Sequence, residues 1–283
     1  MAQLADSPTY TRMDVEQRQR VGWLTLNQPD EYNRMPPAFW SEFPTALHGF
    51  DASGAVRAVV IASSGKHFTA GMDVSVFTGR AAPAMDAGRA GEAARRHLAH
   101  MQSTFSALEA LRMPVLAAIQ GGCVGGGVDL VSACDMRYCT ADAFFCIQEI
   151  NIGLAADVGT LQRLPKLLPE GLMRELAYTG RRMYADEAKA VGLVNAVFDT
   201  QDEMLNAVAA LADDIAAKSP LAITSTKQLL NYGRDHSIDD TLQYQQLWMG
   251  ALSQREEMKR YFEAKRDGQQ PDYDDLPPLA AED

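Results

Sequence analysis

Positive charge is in deficit in this 283-residue chain: 26 Lys and Arg stand against 37 Asp and Glu, for a net charge of −11. A general nucleic-acid binder needs a basic face for its phosphate contacts, so nucleic acid is excluded as a partner. Cysteine is scarce too. The four present, Cys123, Cys134, Cys139 and Cys146, form no C-x-x-C pair. That removes the usual zinc and redox motifs and leaves reduced structural thiols as the reading. No window approaches the roughly 18 to 20 apolar residues that a membrane span requires, and no membrane partner is expected. The opening residues, MAQLADSPTYTRMDVEQ, show neither a basic segment followed by an apolar one nor an arginine-rich, acid-poor transit pattern. The resulting expectation is a cytoplasmic protein.

What is present is an ordinary globular composition, 47% hydrophobic and 22% charged. Apolar runs of strand length occur at Val21–Leu26, Val56–Ala62, Val115–Ile119, Met136–Cys139, Phe144–Ile147 and Val194–Phe198. Helical periodicity covers Pro37–Phe50, with Pro44 predicting a kink or a late start, then Gly91–Leu111, Val128–Ala133, Gly159–Leu164, Gly171–Tyr178 and Ala185–Ala190. The last third is almost wholly helical: Gln201–Ala217, Pro220–Asn231, Asp239–Met249 and Ser253–Lys265. The pattern is an α/β core, 1–215, followed by a helical region, 216–266. Arg80–Ala90 reads as a mobile surface loop. Residues 267–283 hold six acids, three prolines and no base, and read as a disordered or loosely draped tail.

Five glycines, Gly121, Gly122, Gly125, Gly126 and Gly127, follow directly on the run ending at Ile119. The spacing is neither G-x-G-x-x-G nor a P-loop, since no G-K-[ST] follows. Three glycines at a helix start let backbone N–H groups approach a ligand oxygen. A second strand end, His67-Phe68-Thr69-Ala70-Gly71-Met72-Asp73, offers the same chemistry, and together the two could make an oxyanion hole. The segments HFTAGMDV, GGCVGGGVDLVSACDMRYC and FFCIQEINIGLAADVGTLQRLP, in that order, resemble the crotonase (enoyl-CoA hydratase/isomerase) superfamily. The resemblance runs from Val21 to about Phe262. It implies a spiral core of β-β-α units, a helical C-terminal region used in oligomerisation, an acyl-CoA thioester as substrate and no separate cofactor. It places the oxyanion-hole donors at the N–H groups of Met72 and Gly126, beside Ala70, Gly71 and Asp73.

Three carboxylates fall within these segments: Asp129, Glu149 and Asp157. In the hydratases the positions matching Asp129 and Glu149 are both glutamates that hold a water, and the position matching Asp157 is usually glycine. The additional acid makes the chain similar to the Δ3,5-Δ2,4-dienoyl-CoA isomerases of fatty-acid β-oxidation. Moving a 3,5-diene into conjugation with the thioester takes a proton from C2 and returns one at C6, about 5 Å away at bond lengths near 1.5 Å. One carboxylate reaches both carbons poorly. The implied roles are Glu149 as base at C2, Asp157 as acid at C6 and Asp129 as an anchor or tuning group, in a dry pocket that includes Ile147, Ile152 and Leu154. The alternative is an enoyl-CoA hydratase adding water to a 2-enoyl-CoA. Asn33, Arg34, Lys66 and Lys227 are the candidates for binding CoA, although Tyr32 stands where the family often has lysine. His97 and His100 read as solvated surface histidines and His67 as structural. Trp248, Met249, Leu252, Met258, Tyr261 and Phe262 form an apolar face, and the family implies a homotrimer or homohexamer.

Overall fold

The computed structural model describes residues 9–78 and 85–279. Two sheets organise the chain. The larger runs in the order β1 (Met13–Arg18), β2 (Val21–Leu26), β3 (Ala58–Ser63), β4 (Val115–Ile119), β6 (Met136–Thr140) and β9 (Ala196–Phe198). Only the β1–β2 pair is antiparallel; the other neighbours in this sheet run parallel. The smaller sheet joins β5 (Gly122–Val124), β7 (Phe144–Cys146) and β8 (Met183–Tyr184).

Every residue of β3 and β4 is buried, as a parallel strand covered on both faces must be. Alternation divides them between two cores. Val59, Ile61, Val115, Ala117 and Ile119 face Phe39, Phe43, Leu47, Phe105 and Leu108. Ala58, Val60, Ala62, Leu116 and Ala118 face Met204, Val208 and Ala212 of the helix Gln201–Ala216, which therefore closes the back of the sheet.

Several sequence expectations need correction. β1 was not expected because its outward residues are polar, and only Met13 is buried. An edge strand needs just one apolar face. The first helix starts at Phe39 and runs through Pro44 to Ser53. The Trp40 carbonyl, which Pro44 has no N–H to reach, lies 3.5 Å from the Thr104 hydroxyl. Part of the expected loop Arg80–Ala90 is helix instead: Asp86 caps a helix running Ala87–Ala110 by accepting the Arg89 N–H at 3.0 Å. Residues 80–84 of that expected loop lie outside the described residues.

The tail, as far as it is described, is fastened rather than loose. Tyr273 and Leu276 are buried, and Leu276 N–H donates to the Gly54 carbonyl at 3.2 Å. Arg57, itself buried, pairs with Asp275 at 2.7 Å, and Arg20 pairs with Asp272 at 3.0 Å. Arg260 reaches Asp274. Asp272, Asp274 and Asp275, which composition reads as part of a solvated run, are counter-ions for arginines of the folded body. The helices Ile238–Ala251 and Arg255–Arg266 contain no buried residue, and Met258 and Phe262 are exposed.

Candidate active site

The site forms where the segments leaving β3 and β4 come together. Beyond β4 the chain turns at Gly121, runs through β5, turns again at Gly125 and enters the helix Gly126–Ser132. Gly121 and Gly125 both have φ of +54°, a conformation that a side chain disfavours. The segment after β3 lies alongside: Thr69 N–H donates to the Gly122 carbonyl and Val124 N–H to the Thr69 carbonyl, both at 3.1 Å. On its other side Met35 N–H donates to the Gly71 carbonyl at 2.8 Å and Asp73 N–H to the Met35 carbonyl at 3.2 Å.

This packing requires Gly71. A Cβ there would stand 2.5 Å from the Val124 carbonyl oxygen and 3.0 Å from Gly126 N. Gly127 serves the same close approach, since a Cβ there would meet the Thr69 methyl at 2.5 Å. The backbone amides of Met72 and Gly126 are thereby brought close, and among the described residues neither donates a hydrogen bond to any acceptor.

Both residues line a cavity of about 160 Å³ together with Ala70, Asp129, Glu149 and Asp157. Its remaining walls are chiefly apolar: Trp40, Val74, Met101, Ile152, Leu154 and Val158, with Gln148 as a neutral polar group. Of the apolar residues expected here, Ile152 and Leu154 are present, whereas Ile147 packs in the main core. Trp40, Met101 and Gln148 were not foreseen. Trp40 and Met101 lie on helices remote in sequence, and their spacing there is that of ordinary core residues.

Each carboxylate is held differently. Asp129, 1% exposed, accepts the Thr160 N–H at 2.6 Å, and burial raises its pKa to about 6 despite that bond. Glu149 enters on a short 3-10 turn, Gln148–Ile152, with Oε1 packed against Gly125 and Oε2 buried without a partner among the described residues. Burial, then the Asp129 charge, raises its pKa to about 7. Asp157 sits in an irregular stretch, and burial raises its pKa as well. Desolvation thus pushes all three toward the protonated form.

Two of the four expected CoA-binding residues, Asn33 and Lys227, are built into the interior. Asn33 is buried and fully used: its Oδ1 accepts the Gln28 N–H at 2.8 Å, and its Nδ2 donates to the Ser64 and His67 carbonyls at 2.9 and 3.0 Å. Lys227 is buried too, its ammonium shared among the Leu108 and Met113 carbonyls and Asp135 at 2.8 to 3.0 Å. Both are scaffold. Arg34 pairs with Glu31 and Asp73, each at 3.1 Å, and Asp73 also accepts the Ser75 N–H at 3.0 Å. The Ser75 hydrogen bonds, then Arg34, hold the Asp73 carboxyl below its ordinary range, and Asp73 does not line the cavity. Lys66 is exposed and has no ion-pair partner among the described residues.

The other candidates take the expected structural places. His67 Nδ1 accepts the Gly122 N–H at 2.9 Å, and His97 and His100 are exposed. Among the described residues no three His, Cys, Asp or Glu side chains converge as metal ligands. All four thiols are buried and unpaired, and burial pushes Cys134 and Cys139 up to about 12.

A family profile described as Enoyl-CoA hydratase/isomerase matches residues 16–275, nearly the whole chain. The chain belongs to the enoyl-CoA hydratase/isomerase family. Within it, the chain is similar to the mitochondrial Delta(3,5)-Delta(2,4)-dienoyl-CoA isomerase of Rattus norvegicus, 44% identical over 90% of this chain and 79% of that one. It is also similar to the peroxisomal Delta(3,5)-Delta(2,4)-dienoyl-CoA isomerase of Arabidopsis thaliana, 42% identical over 81% and 84%. The crystal structure of an enoyl-CoA hydratase from Bacillus anthracis superposes with a TM-score of 0.84 at 27% identity, covering 93% of this chain and 99% of that one. The α/β crotonase-type fold with C-terminal helices is thereby established. These relatives overturn the cytoplasmic expectation, since they are named mitochondrial and peroxisomal. That expectation rested on the pattern of the opening residues, whose charge and hydropathy do not report where a family's chemistry is housed.

Proposed function

We propose that this chain converts 3,5-dienoyl-CoA to the conjugated 2,4-dienoyl-CoA. The observation that carries the reading is the pairing of Glu149 and Asp157 in one apolar cavity with the unpaired amides of Met72 and Gly126. The thioester oxygen rests on those two N–H groups. Glu149, with its pKa near neutrality, takes a proton from C2. Charge moves onto the thioester oxygen, where each preorganised donor can contribute about 3 kcal/mol to the barrier reduction. Asp157, protonated, delivers a proton to C6 as the electrons shift through the diene. One C–H bond breaks, one forms, and the cycle closes when a proton returns from Glu149 to Asp157 through solvent. Carboxylates and amides carry every step, so the scheme uses no group beyond the CoA of the substrate.

Asp129 anchors rather than reacts in this scheme. A hydratase would need Asp129 to help hold a water, but one of its oxygens is committed to Thr160. For CoA itself, exposed Lys66 is retained as a phosphate contact. The exposed apolar residues of the last two helices, Met258 and Phe262 among them, suit assembly as a trimer or a pair of trimers, with 216–266 as the assembling region.

The decisive experiment supplies 3,5-dienoyl-CoA and crotonyl-CoA separately and follows the conjugated-diene and enoyl chromophores. Wild type forms the diene product, and Asp157→Asn loses at least a hundredfold in kcat. Hydration of crotonyl-CoA with full activity retained in Asp157→Asn would replace the isomerase by the hydratase.

A further inference from the structure

Asp157 lies in a stretch whose flanking residues Ala156 and Val158 are packed into the core but whose backbone is little hydrogen-bonded. After Leu154 N–H donates to the Glu149 carbonyl at 2.9 Å, no backbone-to-backbone hydrogen bond reaches residues 155–158 among those described. Apolar packing of its neighbours does not by itself fix the half-buried Asp157, and misplacement of a proton donor by about 1 Å can cost a hundredfold in rate.

The long helix Ala87–Ala110 supplies what the backbone does not. Gln102, Ser106 and Glu109 follow one another at i, i+4 and i+7, which places them along one face. The Gln102 side-chain amide donates to the Asp157 carbonyl at 2.7 Å. Ser106 and Glu109 receive the Arg163 guanidinium at 2.9 and 2.7 Å, and Arg163 also lies 3.5 Å from the Val158 carbonyl. Gly159 makes room for that guanidinium, since a Cβ there would fall 1.8 Å from Arg163 Nη1. From the inner side Asp129 grips Thr160 N–H. Met101, next to Gln102, lines the cavity itself, so one turn of helix both walls the site and holds the segment that carries the acid.

We propose that Gln102 is a positioning residue for Asp157, the terminal point of a clamp that the Ala87–Ala110 helix applies to the segment 157–163. The inference rests on the assignment of Asp157 as the C6 acid. Gln102 is otherwise exposed.

The test uses Gln102→Met, close in length but without a donor, and Gln102→Lys, which restores one. Two quantities are measured on full-length protein: turnover of 3,5-dienoyl-CoA, and deuterium uptake at C2 of unreacted substrate in D₂O, which needs Glu149 but not Asp157. Loss of one hydrogen bond predicts a fall in kcat of about fivefold to tenfold in Gln102→Met, with KM within about twofold. C2 exchange and the thermal midpoint stay at wild-type values, and Gln102→Lys recovers part of kcat. Unchanged kcat in Gln102→Met overturns the proposal, and so does a parallel loss of turnover and C2 exchange. Asp157→Asn runs alongside as the control. If it keeps full turnover the assignment of the acid itself is wrong, whereas lost turnover there with an unaffected Gln102→Met condemns the clamp alone.

Discussion

Asp129 Oδ1 accepts the Thr160 N–H at 2.6 Å, tying the helix that follows the glycine loop to the helix that follows Asp157. One carboxylate therefore does two things. It fixes the spacing of two segments that line the cavity, and it places a negative charge where Glu149 feels it.

That charge sets the first expectation. Glu149 must be ionised to act as base, so kcat/KM rises as pH climbs through about 7. Asp129→Asn keeps an acceptor for Thr160 but removes the neighbouring anion. Its pH–rate profile is expected to show the acid limb displaced to lower pH. A limb that stays in place would mean that the Asp129 charge does not set the Glu149 value.

Glu149 should also cost the folded protein stability. Its pKa is raised from 4.5 to about 7, so folding favours the protonated form. The favourable contribution is complete below the unfolded value near 4.5 and is lost as pH rises through about 7. At 1.36 kcal/mol per unit the cost at pH 8 is on the order of 3 kcal/mol, shared with its coupled neighbour Asp129. Glu149→Gln is expected to be inactive but to melt several degrees higher than wild type at pH 8. At pH 4 the two proteins should melt together, which scanning calorimetry at both pH values would check.

Gly71 combines a φ of +82° with a Cβ position 2.5 Å from the Val124 carbonyl oxygen. Gly71→Ala must push the two amide-bearing segments apart. We expect a loss of about a hundredfold in kcat, the scale of removing one oxyanion donor, with the far-ultraviolet circular dichroism spectrum retained. Wild-type kcat in this variant would place the thioester oxygen elsewhere.

Arg57 spans the fold and its tail: besides Asp275 it donates to the Tyr273 carbonyl at 2.6 Å and the Ala216 carbonyl at 3.3 Å. Replacing it with methionine leaves those carbonyls without their donor and frees the tail. The expected cost is about 2 to 4 kcal/mol in urea unfolding. Limited proteolysis is then expected to cut within 267–279 in the variant and to spare that segment in wild type.

Much of the architecture was legible from local pattern. The runs Val56–Ala62, apolar but for Arg57, and Val115–Ile119 point to buried parallel strands because consecutive apolar residues over a strand's length suit a strand covered on both faces. β1 was not legible, since MDVEQR reads as solvated chain until β2 lies beside it to accept its hydrogen bonds. The acidic tail misled for a related reason: composition counts charges but not the arginines that meet them. At the site, the two glycine-bearing strand ends and the carboxyl groups stand in the residue types themselves, whereas singling out Asp129, Glu149 and Asp157 and the Met72 and Gly126 amides took the resemblance to the crotonase superfamily, since an acid near a glycine loop reads by itself as a cap or a surface charge. Tertiary structure alone decided which acids share a cavity, that burial raises their pKa values, and that Asn33 and Lys227 are bound into the scaffold. It also brought Trp40, Met101 and Gln102 to the site, three residues whose contribution depends on where two distant helices pack.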